Sequence, residues 1–112
     1  YIVTQMFFDN KKYFAFVDRL RNEGITIPVI PGIKPLTTMS HCTMLPKTFH
    51  IDFPTELSAE FEKCHSNDDV KALGVEWGIQ QCRELRDAGV PGLHFYTMNA
   101  SLSTQCIVEG VF

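Results

Sequence analysis

Short continuous apolar runs alternate along the chain with segments whose apolar positions recur at helical spacing. Residues 2–8, Ile-Val-Thr-Gln-Met-Phe-Phe, are rich in β-branched and aromatic side chains without strict polar alternation, the pattern of a parallel strand buried on both faces. Asp9 or Asn10 then caps a helix in which Tyr13, Phe16, Val17 and Leu20 recur at helical spacing and Gly24 supplies the stop. A second strand is predicted over Ile27–Ile30, after a connection short enough to demand a compact β-α-β return. Thr37 or Thr38 caps a short helix through Leu45, and Pro54 opens another that runs to about Cys64. Ser66 or Asn67 caps the longest helix, whose positive end is complemented by Asp68 and Asp69. Its apolar stripe is Val70, Leu73, Trp77 and Leu85, while Gly74 and Gly78 cost helix propensity and so mark close backbone approach to a neighbour. Gly89 ends it, Leu93–Tyr96 forms a third strand, and Ser101 to about Val111 a last helix.

The order β-α-β-α-α-α-β-α predicts an α/β fold with a parallel sheet and right-handed crossovers. Three strands this apolar leave two open edges and an uncovered face. Two architectures answer that: a small doubly wound sheet with helices on both faces, or an arc of a (β/α)8 barrel. Tyr1 lies inside an apolar run, so the piece is expected to start within a larger fold.

Composition narrows the function classes. A chain of 112 residues that is 45% hydrophobic and 21% charged is globular and of single-domain size. A net charge of −3 with scattered basic residues argues against nucleic acid, which needs a basic footprint. No apolar run approaches the roughly 20 residues of a membrane helix. Cysteines 42, 64, 82 and 106 have no C-x-x-C pairing and read as free thiols of a cytoplasmic protein, with Cys82 and Cys106 as small apolar fillers of helices. His50, His65 and His94 lack metal-ligand spacing, so no metal is expected.

Chemistry concentrates at strand ends. Residues 94–99, HFYTMN, follow a glycine-proline turn and close a strand on polar groups that include an aromatic hydroxyl. Gln5 places an amide in the first apolar run, and residues 28–35, PVIPGIKP, break the second at Pro31–Gly32. Strands whose carboxyl ends open onto a ligand look like this in barrels and doubly wound sheets.

Residues 3–9 (VTQMFFD), 24–36 (GITIPVIPGIKPL) and 90–99 (VPGLHFYTMN) together resemble methylenetetrahydrofolate reductase of the bacterial flavoprotein type, in the same order over nearly the whole chain. The resemblance implies an incomplete (β/α)8 TIM barrel, with residues 1–112 as a single segment supplying about the last three parallel strands and their helices. It implies an oxidoreductase of one-carbon metabolism and methionine biosynthesis that reduces 5,10-methylenetetrahydrofolate to 5-methyltetrahydrofolate with NADH or NADPH through bound FAD, in a homo-oligomer. Gln5 matches the glutamine that reads the pterin and the nicotinamide in turn, which suits a side chain that both donates and accepts. Tyr96 matches a tyrosine lining the pocket, and Met98 an apolar residue beside the pterin. His41 and Leu45 fall where the family places a glutamine and an apolar residue against folate or nicotinamide. The histidine departs from that pattern, and a solvated helix-face histidine is the competing reading. Ala100 stands where some relatives carry an arginine for the folate carboxylate. No catalytic residue is expected within this segment, most FAD contacts are expected upstream of Tyr1, and the fragment alone is expected to be inactive. Two other classes stay open: a small non-catalytic α/β binding or interaction domain, and a different barrel enzyme acting on an anionic substrate, for which no glycine loop follows Asn99.

Overall fold

The computed structural model describes residues 1–41, 45, 51, 53–97 and 101–112. Its elements are β1 (Ile2–Met6), α1 (Asn10–Asn22), β2 (Val29–Ile33), α2 (Thr55–Glu62), α3 (Asn67–Asp87), β3 (His94–Phe95) and α4 (Ser101–Val111). The strands form one parallel sheet in the order β1-β2-β3. The short helix predicted from Thr37 or Thr38 lies largely outside the described residues, although its Thr38 carbonyl accepts the His41 N–H at 3.1 Å.

Local chemistry sets the helix ends. The Asp9 carboxylate accepts the Lys11 N–H at 3.0 Å and the Ser66 hydroxyl the Asp69 N–H at 3.3 Å, each capping the amino end of its helix. Gly24 and Gly89 follow α1 and α3 with φ of 83° and 81°, the left-handed stop of a helix. The guanidiniums of Arg83 and Arg86 reach the last carbonyls of α4, Arg83 donating to the Gly110 oxygen from Nε at 3.0 Å and Nη2 at 2.8 Å, and Arg86 to that of Val111. Cations at that end offset its negative pole.

Two apolar clusters hold the elements together. In one, Val29 and Ile33 of β2 pack with Tyr13 of α1, Cys82 and Leu85 of α3, and Ile107 and Val111 of α4. Positions 29 and 33 share a face of the strand, so three helices lie on one side of the sheet. That arrangement, with strands in sequential order, departs from the doubly wound alternative. Burial pushes the Cys82 thiol up to about 12, so it serves as a packed apolar group. The second cluster, Met6, Phe8, Leu36, Leu45, Ile51, Leu57, Phe61 and Val70, gathers beyond the carboxyl ends of β1 and β2. Gly74 and Gly78 both fulfil the expectation of close approach, against the Leu36 carbonyl and the Ile107 side chain respectively.

Several expectations are corrected. The second strand covers Val29–Ile33 and runs through Pro31–Gly32 instead of breaking there, because the Gly32 N–H bonds the Thr4 hydroxyl at 2.9 Å and the ladder bridges the irregularity. Phe16 is exposed, since Phe14 packs against the helical cluster from the neighbouring stripe. Cys106 is exposed, beside the buried Ile107 of α4, and fills no core space. No described helix is long and apolar enough to cross a membrane.

Candidate functional site

The carboxyl ends of the three strands meet around Gly32. Val3 pairs with Ile30 and Met6 with Gly32, so three steps on β1 oppose two on β2 and a β-bulge falls at Thr4–Gln5. The Thr4 hydroxyl accepts the Gly32 N–H at 2.9 Å and donates to the Gln5 carbonyl at 3.0 Å. From β3, the Tyr96 hydroxyl reaches across the central strand and donates to the Thr4 carbonyl at 2.8 Å. Only glycine permits that crossing: a Cβ on Gly32 would lie 2.7 Å from Tyr96 Cε2 and 2.5 Å from the Thr4 oxygen. The His94 ring meets the Tyr96 ring edge-on, with centroids 4.7 Å apart, and is exposed.

The sequence-predicted residues divide accordingly. Tyr96 and the Thr4–Gln5 peptide are brought together, 92 positions apart in the chain. Gln5 itself is exposed at the open edge of β1 and lines a cleft of about 290 Å³ with Ile2, Thr4, Phe7, Tyr13 and Phe16. Leu45 is a core residue packed in the cluster that Tyr96 also touches. Met98, Ala100, Cys42 and His50 lie outside the described residues.

His41 is buried, which rules against the competing reading of a solvated helix-face histidine. Its Nδ1 accepts the N–H groups of Thr37 and Thr38 at 3.1 and 3.4 Å. That atom is therefore spent on its own turn, and burial, followed by the nearby Lys34 charge, holds the imidazole below its ordinary range. Among the described residues no three His, Cys, Asp or Glu side chains gather as a metal site.

Lys34, one residue beyond β2, is buried at 6% exposure, and burial holds its ammonium below the ordinary lysine range. The charged form is the one disfavoured. Below the folded pKa both states carry the proton and the folded protein bears the desolvation cost. Between that pKa and the unfolded value of 10.5 the unfolded chain binds the extra proton, so stability rises with pH across that window. Lys34→Met is expected to raise the urea midpoint at pH 7 by an amount worth roughly 1 kcal/mol and to flatten the rise toward pH 10. An unchanged slope, or a lower midpoint at pH 7, would contradict this account.

Two residues here escaped the sequence reading. Thr4 looks like any β-branched strand residue, because a bulge leaves no mark in the pattern. Lys34 had a visible signal, a cation inside the apolar run from Val29 to Leu36.

The profile of the methylenetetrahydrofolate reductase family matches residues 1–111. Methylenetetrahydrofolate reductase 1 of Schizosaccharomyces pombe is 36% identical over 110 residues, 97% of this chain and 18% of its own length. Methylenetetrahydrofolate reductase (NADH) 1 of Arabidopsis thaliana is 34% identical over 91% of this chain and 17% of its own length. A probable methylenetetrahydrofolate reductase (NADPH) of Caenorhabditis elegans is 34% identical over 99% of this chain and 17% of its own length. The chain thus spans less than a fifth of the length of these relatives. With strand-end residues in matching order and a parallel α/β sheet beneath them, this chain belongs to the methylenetetrahydrofolate reductase family.

Proposed function

We propose that the whole protein containing this chain reduces 5,10-methylenetetrahydrofolate to 5-methyltetrahydrofolate at the expense of NADH or NADPH, with the hydride carried by FAD. The chain supplies about the last three strands of a (β/α)8 barrel and one side of the ligand pocket. One observation carries the reading: the tips of three consecutive parallel strands converge on Gly32, bringing Tyr96 onto the Thr4–Gln5 peptide. In barrels that end of the strands faces the ligand. The relatives' names qualify the donor as NADH in one case and NADPH in another.

The Gln5 amide, which lines the cleft between β1 and α1, both donates and accepts and so suits either heterocycle. Tyr96 donates its hydroxyl hydrogen bond to the Thr4 carbonyl, so toward a ligand its oxygen serves as an acceptor and its ring as an apolar wall. Leu45 packs in the core cluster that Tyr96 touches, and His41 orders the turn at Thr37 and Thr38. The flavin is a different matter. Two clefts formed by described residues are lined by Asp9, Lys11, Glu56 and Glu84 in one, and by largely apolar groups with Lys12 in the other. Neither presents the converging cations or backbone N–H groups that a pyrophosphate requires. These residues do not fit FAD, so its cradle is assigned to the remainder of the protein and the isolated chain is inactive.

The test is the whole protein, purified and assayed for a yellow, flavin-bearing product that oxidises a nicotinamide cofactor with menadione or methylenetetrahydrofolate as acceptor. A colourless protein that stays inactive with added FAD ends the reductase reading. Gln5→Ala is expected to raise KM for both folate and nicotinamide by about tenfold while the flavin stays bound, the cost of one or two hydrogen bonds to a ligand. Loss of flavin without that change would remove Gln5 from the ligand site.

A further inference from the structure

The Thr4 hydroxyl both accepts from the Gly32 N–H and donates to the Gln5 carbonyl at the bulge, while its own carbonyl is held by Tyr96. The register shows what this accomplishes. Continuing the Val3↔Ile30 pairing without interruption would set Gln5 against Gly32 and Met6 against Ile33. The observed pairing sets Met6 against Gly32 instead. A one-residue slip exchanges the faces of successive side chains, so the bulge decides how Gln5 and Met6 are presented. Bulges re-aim side chains in this way beside binding sites.

We infer that Thr4 is a positioning residue for ligand binding: its hydroxyl locks the bulge and thereby fixes the direction of the Gln5 amide. The inference rests on the reading of Gln5 as the residue that meets folate and nicotinamide. Tyr96 acts partly through the same peptide, as the second tether on Thr4. A β-branched side chain of the same shape without a hydroxyl leaves the Gly32 N–H unpaired and the Gln5 carbonyl released, and the strand can then relax toward the regular register.

The test uses the whole flavoprotein with Thr4→Val, Thr4→Ser and Tyr96→Phe, each alone and combined with Gln5→Ala. Thr4→Val is expected to raise KM for both ligands by about tenfold with flavin content and kcat little changed, whereas Thr4→Ser, which keeps the hydroxyl, stays within about twofold. In the Gln5→Ala background Thr4→Val adds almost nothing, because the group it orients is gone. Tyr96→Phe removes one tether together with its own ligand contact, so if Thr4→Val does not fold, its effect combined with Gln5→Ala is expected to fall short of additive. Full additivity of Thr4→Val with Gln5→Ala overturns the inference, as does a normal KM in Thr4→Val where Gln5→Ala is impaired. If Gln5→Ala binds both ligands normally, the role of Gln5 and this inference fall together. Flavin-dependent turnover by the unaltered protein still stands in that case.

Discussion

Gly74→Ala should destabilise the protein by about 2–3 kcal/mol, the scale of an overpacked core, although alanine is the better helix former. On an exposed helix the same change stabilises by up to about 1 kcal/mol, so the two effects have opposite signs. Here the added Cβ would stand 2.2 Å from the Leu36 carbonyl oxygen and 3.0 Å from both its carbonyl carbon and its Cβ. The obstacle is backbone, so no rotamer change relieves it. Leu36 is itself fully buried in the cluster beyond the strand ends, and pushing it outward disturbs Leu45 and Met6 as well. Sterics therefore outweigh propensity. The check is the urea midpoint of the whole protein at neutral pH. A midpoint equal to or above that of the unaltered protein would show that α3 has room to move off the residues after β2.

Helix ends were legible because they depend on residues a few positions apart. Asp9 and Ser66 cap the helices they precede, and Gly24 and Gly89 take the left-handed conformation after the helices they follow. Gly74 and Gly78 were legible for a related reason: two costly residues on one helix face imply a gain in packing. The sheet was less so. Pro31–Gly32 carries the ordinary signature of a turn, and the partners that carry the strand through it are distant, the Thr4 hydroxyl 28 positions away and His94 and Phe95 of β3. Nothing local predicts such a partner. The site divides in the same way. Resemblance of strand-end motifs named Gln5 and Tyr96, but the hydrogen bond that joins their strands runs to a main-chain oxygen, and backbone acceptors have no sequence code. Cys106 shows the limit of periodicity from the other side, since helical spacing does not tell which neighbour a residue faces.

Gly32→Ala is the change expected to cost most in function, about a hundredfold in kcat/KM for the whole protein, as misplacement of a binding group by roughly 1 Å does elsewhere. The new Cβ would lie 2.5 Å from the Thr4 oxygen, 2.7 Å from Tyr96 Cε2 and 3.3 Å from the Gln5 carbonyl carbon. These are three parts of one assembly, since the Tyr96 hydroxyl is bonded to that same Thr4 oxygen. Moving the ring aside breaks the tether, and moving the peptide aside undoes the bulge that sets Gln5. Relief of either contact thus disturbs a group proposed to meet the ligand. Adding Tyr96→Ala opens space for the methyl group against the ring but leaves the clash with the carbonyl, so the double variant should stay impaired in KM for both folate and nicotinamide. Flavin content separates this from general unfolding, because the flavin cradle is assigned outside this chain and should remain filled. A Gly32→Ala protein within about threefold of the unaltered kcat/KM would mean that the convergence of the three strand tips on Gly32 has no part in holding the ligands.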